Sequence, residues 1–237
     1  MTKIAFTIFH QPNSERHELY DIARTEMLSH FSELDTPSIF FKDDSEMLEF
    51  YKNNELSFDG TGIDGVGWRL GQLGLWAGTY LAVKNFLKSD YDSLIILEDD
   101  IVLKNGFVKN LLSYMNELPK DWALFFGFVP DHFKEAYSNN LLCYTEDPED
   151  YTKYDIGQPH IIKAFQEECT VCYVISRDGA QRIIDLLQKP FKTPIDFWLF
   201  NETNLPIYTI SPNIPNICYM ATTDSQIRRY EKRVYKL

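Results

Sequence analysis

Three consecutive carboxylates, Glu98-Asp99-Asp100, directly follow the apolar run Leu94-Ile95-Ile96-Leu97. An unbroken apolar run of this length suits a strand covered on both faces of a parallel sheet. The acids then fall where such a strand leaves the core, and ligands of open α/β sheets bind beyond that carboxyl end. Side chains alternate along a strand, so Glu98 and Asp100 are expected on one side and Asp99 on the other. Acids held this close repel, and either a proton or a cation must resolve the conflict. A hard divalent cation with oxygen ligands would do so, and it would also grip a substrate's phosphates. The plainer alternative is an acidic solvated turn in which Asp99 or Asp100 caps the next element. The buried strand leading in favours a site.

The bulk properties narrow what this site could serve. A chain of 237 residues with 44% hydrophobic and 15% aromatic content can bury one large α/β core. The net charge of -12, from 23 basic and 35 acidic residues, argues against nucleic acid as a partner. An anionic substrate would therefore need a metal or a few placed basic groups. No run of eighteen apolar residues occurs, and Met1-Thr2-Lys3-Ile4 does not open a signal peptide. A soluble, cytoplasmic protein is expected. Cys169-Thr-Val-Cys172 opens into a strand rather than a helix and has no second pair, so reduced, partly buried thiols are expected.

Around the acids, strands and helices alternate. Lys3 to Phe9 reads as a first strand and Ser14 to Phe31 as a helix, with Ser14 placed to cap it. Thr36 to Phe41 reads as a second strand, and Ser45 to Asn53 as a short helix. Gly60-Thr-Gly62-Ile-Asp-Gly65 matches a dinucleotide fingerprint in letters only, because no strand precedes it; an entry loop is expected. A long helix over Trp68 to Lys88 carries Gly67, Gly71, Gly74 and Gly78 as a stripe that implies close approach to a neighbour or a ligand. Phe107 to Leu118 reads as a helix, Trp122 to Phe128 and Thr170 to Ile175 as strands, and Ser176 as the start of another helix. Ile195 to Leu199 begins a short apolar segment, and Ile207 to Ile210 is a last strand. Residues 130–166 are polar and tyrosine-rich, as a lid or small insertion would be. The tail carries Arg228, Arg229, Lys232, Arg233 and Lys236. It reads as a solvated helix face, or as a contact for pyrophosphate or anionic lipid that would make the protein peripheral to the inner face of a membrane. The class is α/β in a single domain, 1–237.

Several of these segments, in order, resemble the family 25 glycosyltransferases, which include lipopolysaccharide-biosynthesis and collagen galactosyltransferases. Asn13-Ser14-Glu15-Arg16 is similar to the family's S-x-R after the first strand. Gly71-Gln-Leu-Gly74 with Trp76 resembles the start of its G-x-x-G-C-x-x-S-H helix, although Leu75, Gly78 and Thr79 stand where the family has Cys, Ser and His. Glu98-Asp99-Asp100 resembles its E-D-D motif, and Asp121-Trp122 through Gly127 its D-W strand. Tyr173-Val-Ile-Ser176 through Ala180 resembles Y-x-I-S-x-x-G-A, and Pro194-Ile-Asp196 resembles P-x-D.

The resemblance implies a GT-A-type, Rossmann-like, mostly parallel central sheet flanked by helices. It also implies a nucleotide-diphosphate sugar donor, usually a UDP-sugar, and a divalent cation, manganese or magnesium. A glycan or lipid-linked oligosaccharide would be the acceptor. On that basis Glu98 and Asp100 would hold the metal, and Ser14, Arg16, Glu98, Asp99 and Asp100 would bind the donor. Helix N-termini favour anions, which suits Ser14 and Arg16, though an N-cap and a surface charge explain them as well. Inversion needs a base for the acceptor hydroxyl, and Asp196 is the candidate, with Glu167 and Glu168 behind it. A helix-capping role for Asp196 is the alternative. His160 could complete metal coordination. A glycosyltransferase-like protein that only binds carbohydrate or a partner is the other reading, motivated by the missing Ser-His pair.

Overall fold

The computed structural model describes residues 2–10, 16–36, 39–59, 70–130, 154–164, 170–187, 189–201 and 203–221. Its centre is a seven-stranded mixed sheet. The strands in chain order are β1 (Ile4–Phe9), β2 (Ser32–Glu33), β3 (Ser93–Glu98), β4 (Ile101–Leu103), β5 (Leu124–Phe126), β6 (Ile161–Lys163), β7 (Cys172–Ser176), β8 (Ile207–Ile210) and β9 (Cys218–Met220). The large sheet runs β2-β1-β3-β7-β5-β8-β6, and β4 pairs with β9 in a separate two-stranded ribbon. Strands β1, β2, β3, β5 and β8 point one way; β7 and β6 oppose them. This is a mostly parallel α/β sheet of the class the sequence implied.

The helices are α1 (His17–Leu28), α2 (Asp44–Asn53), α3 (Leu70–Lys88), α4 (Phe107–Met115), α5 (Arg177–Leu186) and α6 (Ile195–Asn201). Strand pleating divides the core in two. Ala5, Leu94, Ile96, Tyr173 and Ile175 face α2, α3, α5 and α6. Phe6, Ile8, Ile95, Leu97 and Val174 face α1, α4 and the β4–β9 ribbon. Leu94 to Leu97 are each 0% exposed, which explains why the run does not alternate in polarity.

Some boundaries differ from expectation for physical reasons. The second strand is Ser32–Glu33, not Thr36 to Phe41. It pairs in parallel with Ala5 and Phe6 directly after α1, and a ladder through Pro37 would lack a donor. Helix α1 begins at His17, and no side chain caps its Arg16 N-cap; Ser14, the expected cap, lies outside the described residues. Helix α2 is capped by Asp43, whose carboxylate accepts from the Glu46 amide at 3.0 Å. Residues 60–69 also lie outside the described residues, as does most of the 130–166 stretch. The described part of that stretch contributes the edge strand β6, which sequence periodicity did not disclose.

Two positions explain the small residues. A Cβ on Gly74 would lie 2.7 Å from the carbonyl oxygen of Ile39, so α3 meets the 39–41 segment backbone to backbone. A Cβ on Gly78 would be 3.5 Å from the Phe9 ring, an ordinary contact. The glycine stripe thus serves packing at Gly74. Cys172 and Cys218 are buried, and the Cys218 thiol faces the Gly127 carbonyl oxygen at 3.6 Å; Cys143 and Cys169 lie outside the described residues.

Candidate functional site

Parallel pairing of β1 with β3 sets Phe9 opposite Glu98, so the residues just past each strand, His10 and Asp99, emerge side by side. The three acids then part company. Glu98, still in the pleat of β3, accepts from the Thr170 hydroxyl at 2.7 Å. Burial of its carboxyl, with the neighbouring Asp100 charge next in weight, pushes its pKa up to about 8, and Asp196 and Asp99 add to the rise. Asp99 is held from the other face: His10 Nδ1 lies 3.2 Å from its Oδ2, and Arg16 Nη1 donates to its Oδ1 at 3.1 Å. Glu98 and Asp99 thus have different partners, whereas Asp99 and Asp100, expected on opposite sides, share the Arg16 guanidinium.

Asp100 sits between the two. Its Oδ2 lies 3.2 Å from the same Arg16 nitrogen, while its Oδ1 is buried with no hydrogen-bond partner. Its backbone carbonyl accepts from the Ala221 amide at 2.7 Å, which ties it to the end of β9. Burial raises its pKa, Arg16 opposes that rise, and Asp99 adds to it. Asp99 and Asp100 are 8% and 3% exposed, so this is no solvated turn.

A buried carboxylate oxygen without a donor is costly unless something else takes it. Among the described residues no three His, Cys, Asp or Glu side chains gather as a metal cage. Magnesium-like ions do not need one, because they are held by one or two carboxylates plus substrate phosphates and water. The unpartnered Oδ1 of Asp100 beside Glu98 fits that donor set.

Asp196 lies in the first turn of α6 and accepts from the Phe197 amide at 3.0 Å. Its charge reaches Glu98, so both belong to one electrostatic cluster. Aromatic packing places it there. Trp76 of α3 stacks on Phe191 at 4.1 Å, meets Trp198 edge-on at 5.0 Å and donates from Nε1 to the Thr193 carbonyl at 3.3 Å. The 191–198 segment is thereby fixed against α3. Thr79, which replaces the family's His, is buried and bonds the Tyr173 hydroxyl at 3.3 Å.

The structure does not bring His160 to the acids. It precedes β6, four strand spacings from β3, or about 19 Å. Its Nδ1 meets Glu117 at 2.5 Å and its ring stacks on Tyr114. Ser14, Glu167, Glu168 and the basic residues 228–236 lie outside the described residues. No described helix is long and apolar enough to cross a membrane.

Two features escaped the sequence reading. One is His10, whose Nε2 also lies 3.1 Å from His17 Nδ1 and whose ring stacks on Tyr20 at 4.0 Å. The other is a cleft of about 480 Å³ bordered by His10, Tyr20, Arg24, Glu33 and Thr36. Arg24 and Glu33 close one wall through paired hydrogen bonds of 2.8 and 2.6 Å, and Thr36 Oγ1 is buried there without a partner. Pairing β1 with β3 in the sequence would have pointed to His10. The cleft was hidden because β2 was expected too late in the chain.

An α/β sheet with an acidic cluster past a central strand, and a cleft of about 480 Å³ beside it, is where ligands of this class of fold bind and does not by itself define one activity. Residues 69–199, more than half of the chain, match the model of glycosyltransferase family 25 (LPS biosynthesis protein), and the chain belongs to this family of glycosyltransferases. The match includes Glu98, Asp99, Asp100 and Asp196. No curated protein matches the chain. Solved structures with a similar layout include a glycosyltransferase involved in the glycosylation of the major capsid of PBCV-1, with TM-score 0.43 and 10% identity over 89% of this chain and 82% of that one. Another is a mannose-1-phosphate geranyltransferase from Thermus thermophilus, with TM-score 0.44 and 10% identity over 90% and 75% of the two chains. A third is a Drosophila galactosyltransferase mutant in complex with manganese, UDP-Gal and xylobiose, with TM-score 0.38 and 9% identity over 100% and 77%. Likenesses this remote say nothing further about this chain.

Proposed function

We propose that this glycosyltransferase moves a sugar from a nucleotide-diphosphate donor, a UDP-sugar by preference, onto a hydroxyl of a glycan or lipid-linked oligosaccharide, with inversion. The observation that carries this reading is the buried, unpartnered Oδ1 of Asp100 beside Glu98, at the carboxyl end of β3 in a family 25 chain. Glu98 and Asp100 would hold a manganese or magnesium ion, which supplies positive charge to the diphosphate as it leaves.

The protein's own groups divide the remaining work. The cleft bordered by His10, Tyr20 and Glu33 would seat the nucleoside, and the diphosphate would extend from it towards Asp100. Arg16, shared by Asp99 and Asp100, would keep the acids in place while the anionic donor enters. Asp196 would take the proton of the acceptor hydroxyl as that oxygen bonds to the sugar's anomeric carbon and the bond to the diphosphate breaks. An acidic protein can accept an anionic donor in this arrangement because the local charge balance, not the net charge, decides entry.

The test is calorimetric binding of UDP, with and without manganese, to the wild type and to Asp100→Ala. Manganese-dependent binding that weakens at least tenfold in the variant is expected. A wild type that binds neither UDP nor any other nucleotide with metal present overturns the reading.

A further inference from the structure

We infer that His10 is a positioning residue that links the nucleoside cleft to the acidic motif: its ring forms cleft wall while its Nδ1 fixes the carboxylate network that aims Asp100. This inference rests on the donor-site reading under Proposed function.

One connected path of contacts joins the two seats. His10 is 9% exposed and follows β1, so its backbone is set by the same parallel ladder that places Asp99. Facing the Asp99 carboxylate at 3.2 Å, Nδ1 is the nitrogen that carries the hydrogen. Nε2 accepts from His17 Nδ1 at 3.1 Å, so the ring is secured from behind by α1. Each oxygen of Asp99 has a protein partner, His10 on Oδ2 and Arg16 on Oδ1. Asp99 is thereby a poor candidate to ligate an ion and a good one to orient a neighbour. It orients Arg16, whose same nitrogen reaches Asp100 Oδ2 and leaves Oδ1 without a hydrogen-bond partner. The other end of the path is the cleft. The His10 ring lies against Tyr20, with centroids 4.0 Å apart and planes 12° apart, and both residues border the 480 Å³ space. One side chain thus touches the proposed nucleoside seat and, through two hydrogen bonds and the Arg16–Asp100 ion pair, the proposed diphosphate seat.

The two functions of the ring can be separated chemically. Asparagine keeps an N–H donor on Cγ, where imidazole carries Nδ1, but has no ring to stack. Phenylalanine keeps the ring and loses the donor. Affinities for uridine and for UDP with manganese are measured by calorimetry on wild type, His10→Asn and His10→Phe, with melting curves to establish folding. His10→Phe is expected to bind uridine within about twofold of wild type, while its UDP-to-uridine affinity ratio falls about tenfold, the loss of one charge-assisted hydrogen bond. His10→Asn is expected to lose several-fold in uridine affinity with the ratio unchanged. Tyr20→Ala, which touches only the stacking side, should resemble His10→Asn and keeps the test open if a His10 variant does not fold.

A His10 that merely supports the fold would lower both affinities together in both variants, or neither, and either pattern overturns the inference while leaving the donor reading intact. If wild type binds no nucleotide with manganese, the donor reading and this inference fail together.

Discussion

The Thr170 hydroxyl donates to Glu98 at 2.7 Å, yet the pKa of the carboxyl it serves is pushed up to about 8. One neutral donor does not offset burial and the nearby Asp100 charge, so without a cation the folded protein holds a proton on Glu98 that the unfolded chain has released. Between the ordinary glutamate value and about 8, the native state therefore binds more protons, and stability falls as pH rises. One such proton contributes a slope of at most about 1.4 kcal/mol per pH unit. In EDTA, wild type should lose melting temperature from pH 5 to pH 8, and Glu98→Gln should flatten that decline. Manganese should restore the wild type most at the alkaline end. An equal slope in the variant would rule out Glu98 as its source.

Arg16 carries the opposite duty. It is the cation shared by two buried carboxylates, and removing it takes the positive charge from Asp100 and one hydrogen bond from Asp99, which keeps His10. Breaking a buried pair in this way costs about 3 kcal/mol or more. Arg16→Ala is therefore expected to lower the urea midpoint clearly at pH 7 and less at pH 5, where Asp100 protonates more readily. Its raised pKa makes the pH difference part of the prediction. A loss that is equal at both values would mean that Arg16 acts through packing of its stem.

How far the sequence disclosed this site depended on how local each signal was. The Leu94–Leu97 run announced a strand buried on both faces, and Glu98 to Asp100 announced the acidic cluster, because both features live within seven residues. Asp196 came from a family motif, and α6 now shows the aromatic packing that places it. His10 was invisible for the opposite reason: a lone histidine after a strand means nothing until β1 is known to lie beside β3. The antiparallel insertion of β7 between β3 and β5 was likewise beyond reach, since pairing direction is set by the return path and not by strand composition. The edge strand β6 is three residues long and too short for any periodicity. His160 was considered as a ligand because its residue type permits it. Glu117 and Tyr114, distant in sequence, hold it elsewhere.

The start of α5 offers a stability test that does not involve the site's charges. Ser176 accepts from the Gly179 amide at 3.0 Å and donates to the Trp122 carbonyl at 2.8 Å, which ties β7, α5 and the entry to β5 together. A Cβ on Gly179 would meet the Ala123 carbonyl oxygen at 2.4 Å, a backbone atom that cannot swing aside. Gly179→Ala should cost about 3 kcal/mol, at the upper end for overpacking, and Ser176→Ala about 1 kcal/mol for the lost cap. Denaturant titration measures both. If Gly179→Ala were no worse than Ser176→Ala, α5 would be free to slide away from β5.

Asp196 gives the sharpest division between binding and chemistry. Its carboxylate lies in the first turn of α6, where the backbone amide of Phe197 already donates to it, and its charge reaches Glu98. A base that acts on the acceptor hydroxyl contributes typically about 10² to 10⁴ in rate. Asp196→Asn keeps the size and an acceptor oxygen for the Phe197 amide but cannot take a proton. Transfer to acceptor should therefore fall by about 10² or more, with manganese-dependent UDP affinity within about threefold of wild type. Melting temperature should also hold, because Asn replaces the first-turn contact. A variant that loses nucleotide affinity in parallel with turnover would move Asp196 from proton transfer to donor binding. Unimpaired transfer would leave the carboxylate as a helix-capping group and send the search for a base to the other acids near Glu98.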